Sequence, residues 1–597
     1  MMTPWGEALD PENVLPEYPR PQLVRDSYVN LNGFWEYAFT PAGAPAPETW
    51  DGRIVVPFSP EAPLSGLGRR LEPDETLWYR RTVRLPEGFV RDRVLLHFGA
   101  VDQDARVWVD GTLVGEHRGG YLPFTLDITD ALTDGTDCTD GPARGEYELV
   151  VAVLDVTDTS WRSRGKQTLE PGGIWYTAQS GIWQTVWLES VPTAYVHRLD
   201  LTPHLAAGEV EVLVHSDGPH PARVVVSASG AEVTRATVTA GEPARLALGE
   251  VRTWSPEDPF LYDVEVRLGE DRVSAYVGMR SVALGVDGQG RTRILLNGEP
   301  YLQAGLLDQG YWPDGLYTAP SDEALVFDVE TAKDLGLTML RKHIKVEPLR
   351  WYHHCDRLGM LVWQDLVNGG TRSGRVVSQG PVVVPWLRLA DAPTRRFGRA
   401  DAEGRVEFLR ELDATVELLR SVPSVVAWVP FNEGWGQFDA YAVAERVRGL
   451  DPSRLVDHAS GWHDQGGGDV VSRHVYFRRY RLSRKDIRDP RAAVLSEYGG
   501  YSWRVPGHVW SDEEFGYRRF GDGEAFERAF LALQEEQVGP AVEAGLAAFV
   551  YTQLTDVEEE TNGLLTYDRR VVKVDAARVR ESNARLRARF AAGVRGR

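Results

Sequence analysis

Residues 425–433 read VVAWVPFNE, an apolar run that ends abruptly in an amide and a carboxylate, Asn432 and Glu433. A helical pattern precedes this run over about Val406–Leu419, and Pro423 separates the two. A short, continuous apolar run predicts a strand buried on both faces, as in a parallel sheet. Polar side chains directly after such a strand lie where parallel α/β folds place their ligands.

The same helix–strand unit repeats along the carboxy-terminal half of the chain. Ser321 is a suitable N-cap for a helix that Gly336 ends, and Leu337–Leu340 is the next predicted buried strand. A helix over about Pro348–Leu358 then leads to the apolar run Leu361–Trp363. Repeated units over about 300 residues predict a parallel (α/β)8 barrel, with an open sheet as the alternative.

Short strands dominate the part of the chain before the barrel. Segments such as Arg93–Phe98 and Glu148–Leu154 alternate with Gly and Asp turns, which is typical of a β-sandwich or jelly roll. Further strand patterns then extend over a length that suits an Ig-like sandwich. We therefore expect a multidomain protein with a jelly-roll domain over 1–192, an Ig-like β-sandwich over 193–282 and a TIM barrel over 283–597.

Size, charge and composition limit the classes of function. The chain has 597 residues, too many for one hydrophobic core, and its formal net charge is -21. An acidic surface repels phosphate backbones, so we expect no nucleic-acid partner. The 19 tryptophans either fill cores or stack on sugars, and they favour carbohydrate only weakly.

Cysteine content and hydropathy predict a cellular location. Cys138 and Cys355 are too few for a disulfide framework, which fits a reducing compartment. The first residues lack the basic and apolar regions of a signal peptide, and no apolar run approaches the ~18 residues of a membrane span. The sequence therefore predicts a cytoplasmic protein with no membrane partner.

Polar residues follow directly after several predicted strands, where a barrel carries its catalytic groups. These positions are Arg341, Asp365, Asn432-Glu433, Glu497 and Asp556. Glycoside hydrolysis needs two carboxyl groups: one protonates the leaving oxygen, and the other attacks the anomeric carbon or activates water. A single glutamate after a strand is usually a solvated loop residue. The pair Glu433 and Glu497 is therefore what favours catalysis.

Two motifs resemble those of glycoside hydrolase family 2, which contains β-galactosidases, β-glucuronidases and β-mannosidases. Phe431-Asn-Glu-Gly-Trp-Gly-Gln437 resembles its acid/base motif, and Ser496-Glu-Tyr-Gly-Gly500 resembles its nucleophile motif. The resemblance covers essentially the whole chain. Leu31–Trp35 looks like the start of the family's jelly roll, Val277–Arg280 like the end of its Ig-like domain, and Leu296–Pro300 like the entry to its barrel.

The resemblance implies a role for each matched residue. Glu433 would be the general acid/base, with a raised pKa, and Glu497 the ionised nucleophile of a retaining double displacement. Asn432 would hydrogen-bond the sugar 2-hydroxyl, Arg341 would orient the nucleophile, and Tyr476 would lie near it. This chemistry needs no cofactor and no metal.

Some positions depart from the family's pattern. His343 lies at a different offset after Arg341, so the family's histidine role does not carry over; His343 and Lys345 could bind sugar hydroxyls or form a structural salt-bridge cluster. The Asn-x-Lys pair that binds a uronic carboxylate in glucuronidases is not evident, and Asn562-Gly-Leu564 stands in its place. That argues against glucuronides, unless Lys345 or Arg569 substitutes.

Further candidate substrate contacts lie near strand ends. Tyr551 could form a stacking wall, and Asp308 could bind hydroxyls or cap a loop. The acidic stretch 556–560 could line the site, and the loop Asn368–Leu389 could shape its entrance or be a tolerated insertion. The remaining candidates are Asp365, Trp435, His474 and Trp503.

The sequence thus predicts a retaining exo-β-glycosidase that acts on a carbohydrate or glycoside and is most similar to β-galactosidases. Glucuronides, galactofuranosides, arabinosides and mannosides are alternative substrates. A non-catalytic carbohydrate-binding protein on the same scaffold is the alternative function. Family members often form dimers or tetramers, so the resemblance is compatible with a homo-oligomer.

Overall fold

The computed structural model describes most of the chain. The described ranges are 1–132, 146–378, 380–384 and 387–595. Cys138 and part of the predicted loop Asn368–Leu389 lie outside them. Cys355 is a buried free thiol. No helix within these ranges is long and apolar enough to cross a membrane.

A β-sandwich forms the amino-terminal part of the described chain. In spatial order, its larger sheet contains Gly52–Val56, Gly33–Pro41, Glu75–Arg84, Glu146–Leu154, Asp104–Val109 and Thr112–Arg118. The facing sheet contains Tyr28–Asn30, Val186–Val191, Arg93–Phe98 and Phe124–Asp127. All these strand pairs are antiparallel, and the two sheets bury a common apolar core that includes Trp35, Tyr79 and Phe98.

A second, smaller sandwich follows. Its sheets contain Arg198–His204, Glu209–His215 and Ala244–Ala247 on one side, and Ala231–Thr239, Pro221–Ala228, Tyr262–Leu268 and Asp271–Val277 on the other. Along Glu209–His215 every second residue, Val210, Val212 and Val214, is fully buried, because successive side chains of a strand point to opposite faces. A small sheet of Val282–Val286, Thr292–Leu296 and Glu299–Pro300 then leads to the barrel.

Eight parallel strands form the carboxy-terminal barrel, and strands that follow one another in the chain are neighbours in the sheet, except for the fifth and the sixth. They are β1 (Gln303–Asp308), β2 (Met339–Lys342), β3 (Leu361–Asp365), β4 (Val425–Val429), β5 (Leu455–Val456), β6 (Val470–Val475), β7 (Ala492–Gly499) and β8 (Ala548–Thr552). Because β1 pairs with both β2 and β8, the sheet curls round until only β5 and β6 are unpaired with each other. There the Asp469 amide donates to the Val456 carbonyl at 2.8 Å.

Helices cover the outside of the barrel. The longer ones are Asp322–Asp334, Leu349–Leu358, Ala402–Leu419, Ala440–Leu450, Gly523–Leu533, Gly539–Ala544 and Ala576–Arg595. The Ser321 side chain caps the first of them by accepting from the Ala324 amide, and Gly336 follows its end with φ +77°. The expected multidomain fold, with β-sandwiches before a TIM barrel, is confirmed. We propose the domain limits 192/193 and 282/283 for these units.

One loop of the amino-terminal sandwich reaches the mouth of the barrel. We call residues 160–177 the sandwich loop. Its Gly173 amide donates to Glu559 at 2.7 Å and its Thr177 amide to Glu558 at 2.9 Å, both just beyond β8. The loop therefore forms part of the wall around the carboxyl ends of the barrel strands.

Candidate active site

Glu433 and Glu497 converge at the mouth of the barrel. Glu433 follows β4, and Glu497 lies in β7. One carboxylate oxygen of each, together with a ring nitrogen of His474, lies within 4.8 Å of the other two atoms. Both glutamates are nearly enclosed, with exposed fractions of 8% and 4%. The two carboxyl groups therefore share one small space.

The backbone of Glu433 is strained. Its φ of +52° lies in the left-handed region, which costs energy for a residue with a side chain. Its amide donates to the Ser460 carbonyl at 3.0 Å, and Asn432 forms a parallel bridge to the same residue. The neighbouring segment after β5 thus holds Glu433 in a conformation that it would otherwise avoid.

Two donors orient the Glu497 carboxylate. Arg341, at the end of β2, donates from Nη1 to Oε1 at 3.0 Å, and the Tyr476 hydroxyl donates to Oε2. The Tyr476 hydroxyl also lies 3.2 Å from the Thr552 hydroxyl. Each carboxylate oxygen therefore has its own donor, and the side chain has little freedom to rotate.

Arg341 links four of the predicted site residues: Glu497, Asp365, Asn432 and, through Nη1 at 3.4 Å from its Nε2, His474. Its guanidinium is fully buried and donates twice to Asp365, at 2.9 Å in each case, and to the Asn432 side-chain oxygen at 2.8 Å. Burial alone acts to lower the pKa of Arg341, but Asp365 and Glu497 raise it overall. Arg341 is therefore a permanent cation that contacts Glu497, Asp365 and Asn432 at the same time.

His474, in β6, lies between the two glutamates. Its Nδ1 is 2.7 Å from Glu433 Oε1, and its Nε2 is 3.5 Å from Glu497 Oε1 and 3.2 Å from the Ser460 hydroxyl. Burial lowers the pKa of His474 to about 4, so its imidazole is neutral near pH 7. A neutral imidazole can exchange a hydrogen bond with Glu433 without adding charge to the site.

Burial also sets the protonation state of Glu433. Desolvation raises its pKa to about 8, although Lys166 and Arg341 act in the opposite direction. At neutral pH this carboxyl group therefore carries a proton, as a general acid must before the first bond is broken.

Two buried groups beside Glu497 have no hydrogen-bond partner among the described residues. They are Nδ2 of Asn432 and Nε2 of His343. The His343 Nε2 atom is 3.9 Å from both Glu497 Oε1 and Asp365 Oδ2, while its Nδ1 is held by Gln309 at 2.8 Å. Buried polar groups are usually satisfied, so these two are suited to bind substrate hydroxyls.

Aromatic rings from two domains line the site. Trp435 packs against Trp175 of the sandwich loop with ring centres 5.0 Å apart, and against His343 at 6.3 Å. On the other side, Tyr517 stacks on Tyr476 with ring centres 3.8 Å apart. Trp175 and Tyr517 were missed by the sequence analysis, because neither follows a barrel strand and nothing in the pattern around them marks a site.

Two predicted hydroxyl ligands belong to the interior instead. Asp308 accepts from Lys342 Nζ at 2.6 Å and from the Gly310 amide at 2.9 Å. Lys345 donates to the carbonyls of Gly310 and Tyr317 and lies 2.9 Å from Glu347. All three N–H groups of the Lys345 ammonium are engaged, so none is left for a sugar hydroxyl. Lys345 is therefore part of a structural salt-bridge cluster, which was the alternative prediction.

Tyr551 and Trp503 face the helix layer rather than the site. The Tyr551 ring packs against Phe530 of Gly523–Leu533 with ring centres 4.8 Å apart, and its hydroxyl accepts from the Tyr501 amide at 3.2 Å. Trp503 lies against Phe526 of the same helix. Side chains alternate along β8, and Thr552 is the residue that points inward to Tyr476. The predicted stacking wall at Tyr551 is therefore not retained.

Glu433, His474 and Glu497 also have the donor types and spacing of a site for a divalent cation. A cation bound there would neutralise the carboxylate of Glu497 and displace the proton of Glu433. It would therefore oppose chemistry that uses one carboxyl group as acid and the other as nucleophile.

Two family models match adjacent parts of the chain. Residues 70–192 match the model described as glycosyl hydrolases family 2, sugar binding domain. Residues 194–280 match the model described as glycosyl hydrolases family 2.

Similar proteins include two glycosidases. A β-galactosidase of Thermoanaerobacter pseudethanolicus is 26% identical over 458 residues, which make up 71% of this chain and 54% of that protein. A β-glucuronidase of Homo sapiens is 24% identical over 461 residues, which make up 68% of this chain and 63% of that protein. The chain thus spans between about half and two thirds of the length of these curated relatives.

A solved structure shares the fold over nearly its full length. The β-D-glucuronidase of Dictyoglomus thermophilum superposes with a TM-score of 0.71 at 18% identity, covering 95% of this chain and 98% of that one. The matched models lie in the order of the two sandwiches, and the barrel that follows carries the two glutamate motifs. The two family models therefore place residues 70–192 and 194–280 in glycoside hydrolase family 2, and the fold of the whole chain agrees with that assignment.

Proposed function

We propose that the protein is a retaining exo-β-glycosidase that acts by double displacement. The observation that carries this proposal is the approach of the Glu433 and Glu497 carboxylates to within 4.8 Å. Carboxyl groups roughly 5–5.5 Å apart are typical of retaining enzymes, whereas inverting enzymes leave a wider gap for water. The near-complete enclosure of both side chains supports action on a terminal sugar.

The proposed double displacement has two steps. In the first step Glu497 attacks the anomeric carbon, the bond to the leaving oxygen breaks, and protonated Glu433 transfers its proton to that oxygen. The product is a glycosyl ester on Glu497. In the second step the Glu433 carboxylate removes a proton from water, the water oxygen attacks the anomeric carbon, and the ester bond breaks. Glu433 is then protonated again and Glu497 is free.

Within this class we propose a β-galactosidase-like specificity. Uronides are a second candidate, because similar proteins and solved structures include β-glucuronidases. However, neither cation that could substitute for the missing Asn-x-Lys pair is available. Lys345 is saturated by interior acceptors, and Arg569 donates to Asp328 at 3.0 Å and to the Tyr567 carbonyl at 2.8 Å.

Retention of configuration is the first expected outcome. Proton NMR of a reaction with an aryl β-glycoside should show the β-anomer of the released sugar before mutarotation forms the α-anomer. Initial appearance of the α-anomer would mean inversion and would contradict a direct attack by Glu497.

The dependence of the rate on pH should follow Glu433. Because this acid must be protonated and its pKa is raised to about 8, kcat/KM should stay high at neutral pH and fall as the pH rises through about 8. In a Glu433→Gln variant this alkaline decline should disappear from the residual activity. If kcat/KM instead fell with a midpoint near 4.5, the ordinary pKa of a glutamate, burial would not be keeping Glu433 protonated at neutral pH.

A further inference from the structure

Lys166 of the sandwich loop brings an ammonium group to the barrel mouth. Its side chain is almost completely buried, and its Nζ lies 3.2 Å from the Tyr176 hydroxyl and 3.6 Å from Glu560 Oε2. Among charged neighbours, Lys166 is the group that most strongly opposes the raised pKa of Glu433. The positive charge of Lys166 therefore acts on the proposed acid/base, although it comes from a different domain.

A continuous chain of hydrogen bonds connects this ammonium group to His343, which lies beside Glu497. Tyr176 donates to Glu560, which accepts from Asn562 at 2.9 Å. From Asn562 the chain continues through the side-chain amides of Gln553 and Gln309, with distances of 2.9 and 2.7 Å. It ends at His343, whose free Nε2 faces Glu497. Lys166 and Glu560 thus lie at one end of a hydrogen-bonded row of side chains, and the other end of this row, His343, lies next to Glu497.

Lys166 differs from the other buried cations around the site. Arg341, Lys342, Lys345 and Lys573 each donate at least two hydrogen bonds to acceptors in the protein. Lys166 has one hydrogen-bond acceptor among the described residues, the Tyr176 hydroxyl, and a longer ion pair with Glu560. An ammonium group has three donors, so two of them remain for a ligand.

We infer that Lys166 and Glu560 form a specificity-determining pair that binds two neighbouring hydroxyl groups of an uncharged sugar at the site proposed above. The ammonium group supplies a donor, and the adjacent carboxylate, whose oxygens each have a spare lone pair, supplies an acceptor. A hydroxyl group can both donate and accept, so vicinal hydroxyls match this pair. The inference depends on the proposed glycosidase function.

The charges around the pair disfavour a uronate. Glu560 neutralises Lys166, and Glu497 and Glu558 are further carboxyl groups of the same wall, the latter held by the Thr177 amide at 2.9 Å. A sugar carboxylate bound to Lys166 would lie next to the Glu560 carboxylate. Like charges at such separation in a buried site are strongly repulsive.

Matched substrates test this pair directly. The 4-nitrophenyl β-galactoside and β-galacturonide differ only at C6, as do the corresponding glucoside and glucuronide. We expect the wild-type kcat/KM for a neutral sugar to exceed that for its uronide by on the order of 100-fold. Lys166→Met should lower kcat/KM for the neutral sugar about 10- to 100-fold. Glu560→Gln removes one negative charge at nearly constant size and should reduce the neutral-to-uronide ratio about 10-fold.

The controls separate folding, specificity and function. Lys485→Met, at an exposed lysine, should leave both activities unchanged, and thermal unfolding should show whether each variant keeps its fold. If Lys166→Met does not fold, Glu560→Gln alone still decides the inference. Wild-type preference for a uronide, or an unchanged ratio in Glu560→Gln, would overturn the inference and leave the glycosidase assignment intact. Absence of turnover on every β-glycoside would instead overturn the proposed function.

Discussion

Replacement of Glu497 by alanine is expected to lower kcat for aryl β-glycosides by more than about 10⁴-fold. The variant lacks the carboxylate that would form the ester, so the first step of the double displacement has no nucleophile. Release of nitrophenolate measures this loss. In the wild type, a 2-deoxy-2-fluoro glycoside with a good leaving group should accumulate as an ester on Glu497, visible as added mass on the peptide that contains it.

The matched control for this experiment is Glu250→Ala, at an exposed glutamate, which should retain full activity. Circular dichroism should show that the Glu497→Ala variant is folded, because Arg341 remains paired with Asp365 when the Glu497 carboxylate is removed. Full turnover by folded Glu497→Ala, or a label on another residue, would mean that the nucleophile has been misassigned.

Replacement of Glu433 by alanine should lower activity about 10²- to 10⁴-fold, depending on the leaving group. Substrates whose aglycone needs protonation should show the largest decrease in the rate of the first step. A dinitrophenyl glycoside should show the smallest decrease, because dinitrophenolate leaves without a proton. A small anion such as azide can enter the space of the missing side chain and attack the glycosyl ester on Glu497. Added azide should therefore restore turnover of the dinitrophenyl substrate and yield a β-glycosyl azide.

The pattern of losses distinguishes acid catalysis from damage to the site. Glu433→Gln keeps the size of the side chain and its contact with His474, so it should show the same dependence on the leaving group. An equal loss for all aglycones with no rescue by azide would indicate that Glu433 only supports the structure.

Local sequence patterns were most accurate for strands that consist of uninterrupted apolar residues. The predicted bounds Arg93–Phe98 agree with the observed strand, and the apolar run that begins at Val425 contains the strand Val425–Val429. At β2 the apolar pattern placed the strand at Leu337–Leu340, whereas it runs over Met339–Lys342. Arg341 and Lys342 continue the strand because buried carboxylates pair with both, and a pattern that treats charge as a strand end does not detect such pairing.

Other features could not be predicted for physical reasons. The strand β5, Leu455–Val456, is too short to show any periodicity. In β8 all residues are buried, so hydrophobicity does not show which face of the strand points inward, and Tyr551 was placed in the site although it packs against Phe530. Asp308 is the last residue of β1 and Lys345 follows β2, but interior partners satisfy both side chains.

By itself the sequence determined that two glutamates follow apolar runs of a βα repeat, since apolar runs and the residues that end them are local properties of the chain. Only the tertiary structure decided that their carboxylates approach within 4.8 Å and that a loop of another domain completes the wall around them. Tyr176 and Glu560 are 384 residues apart along the chain and still share a hydrogen bond. Contacts of that kind depend on how whole domains pack, and no local pattern of residues encodes them.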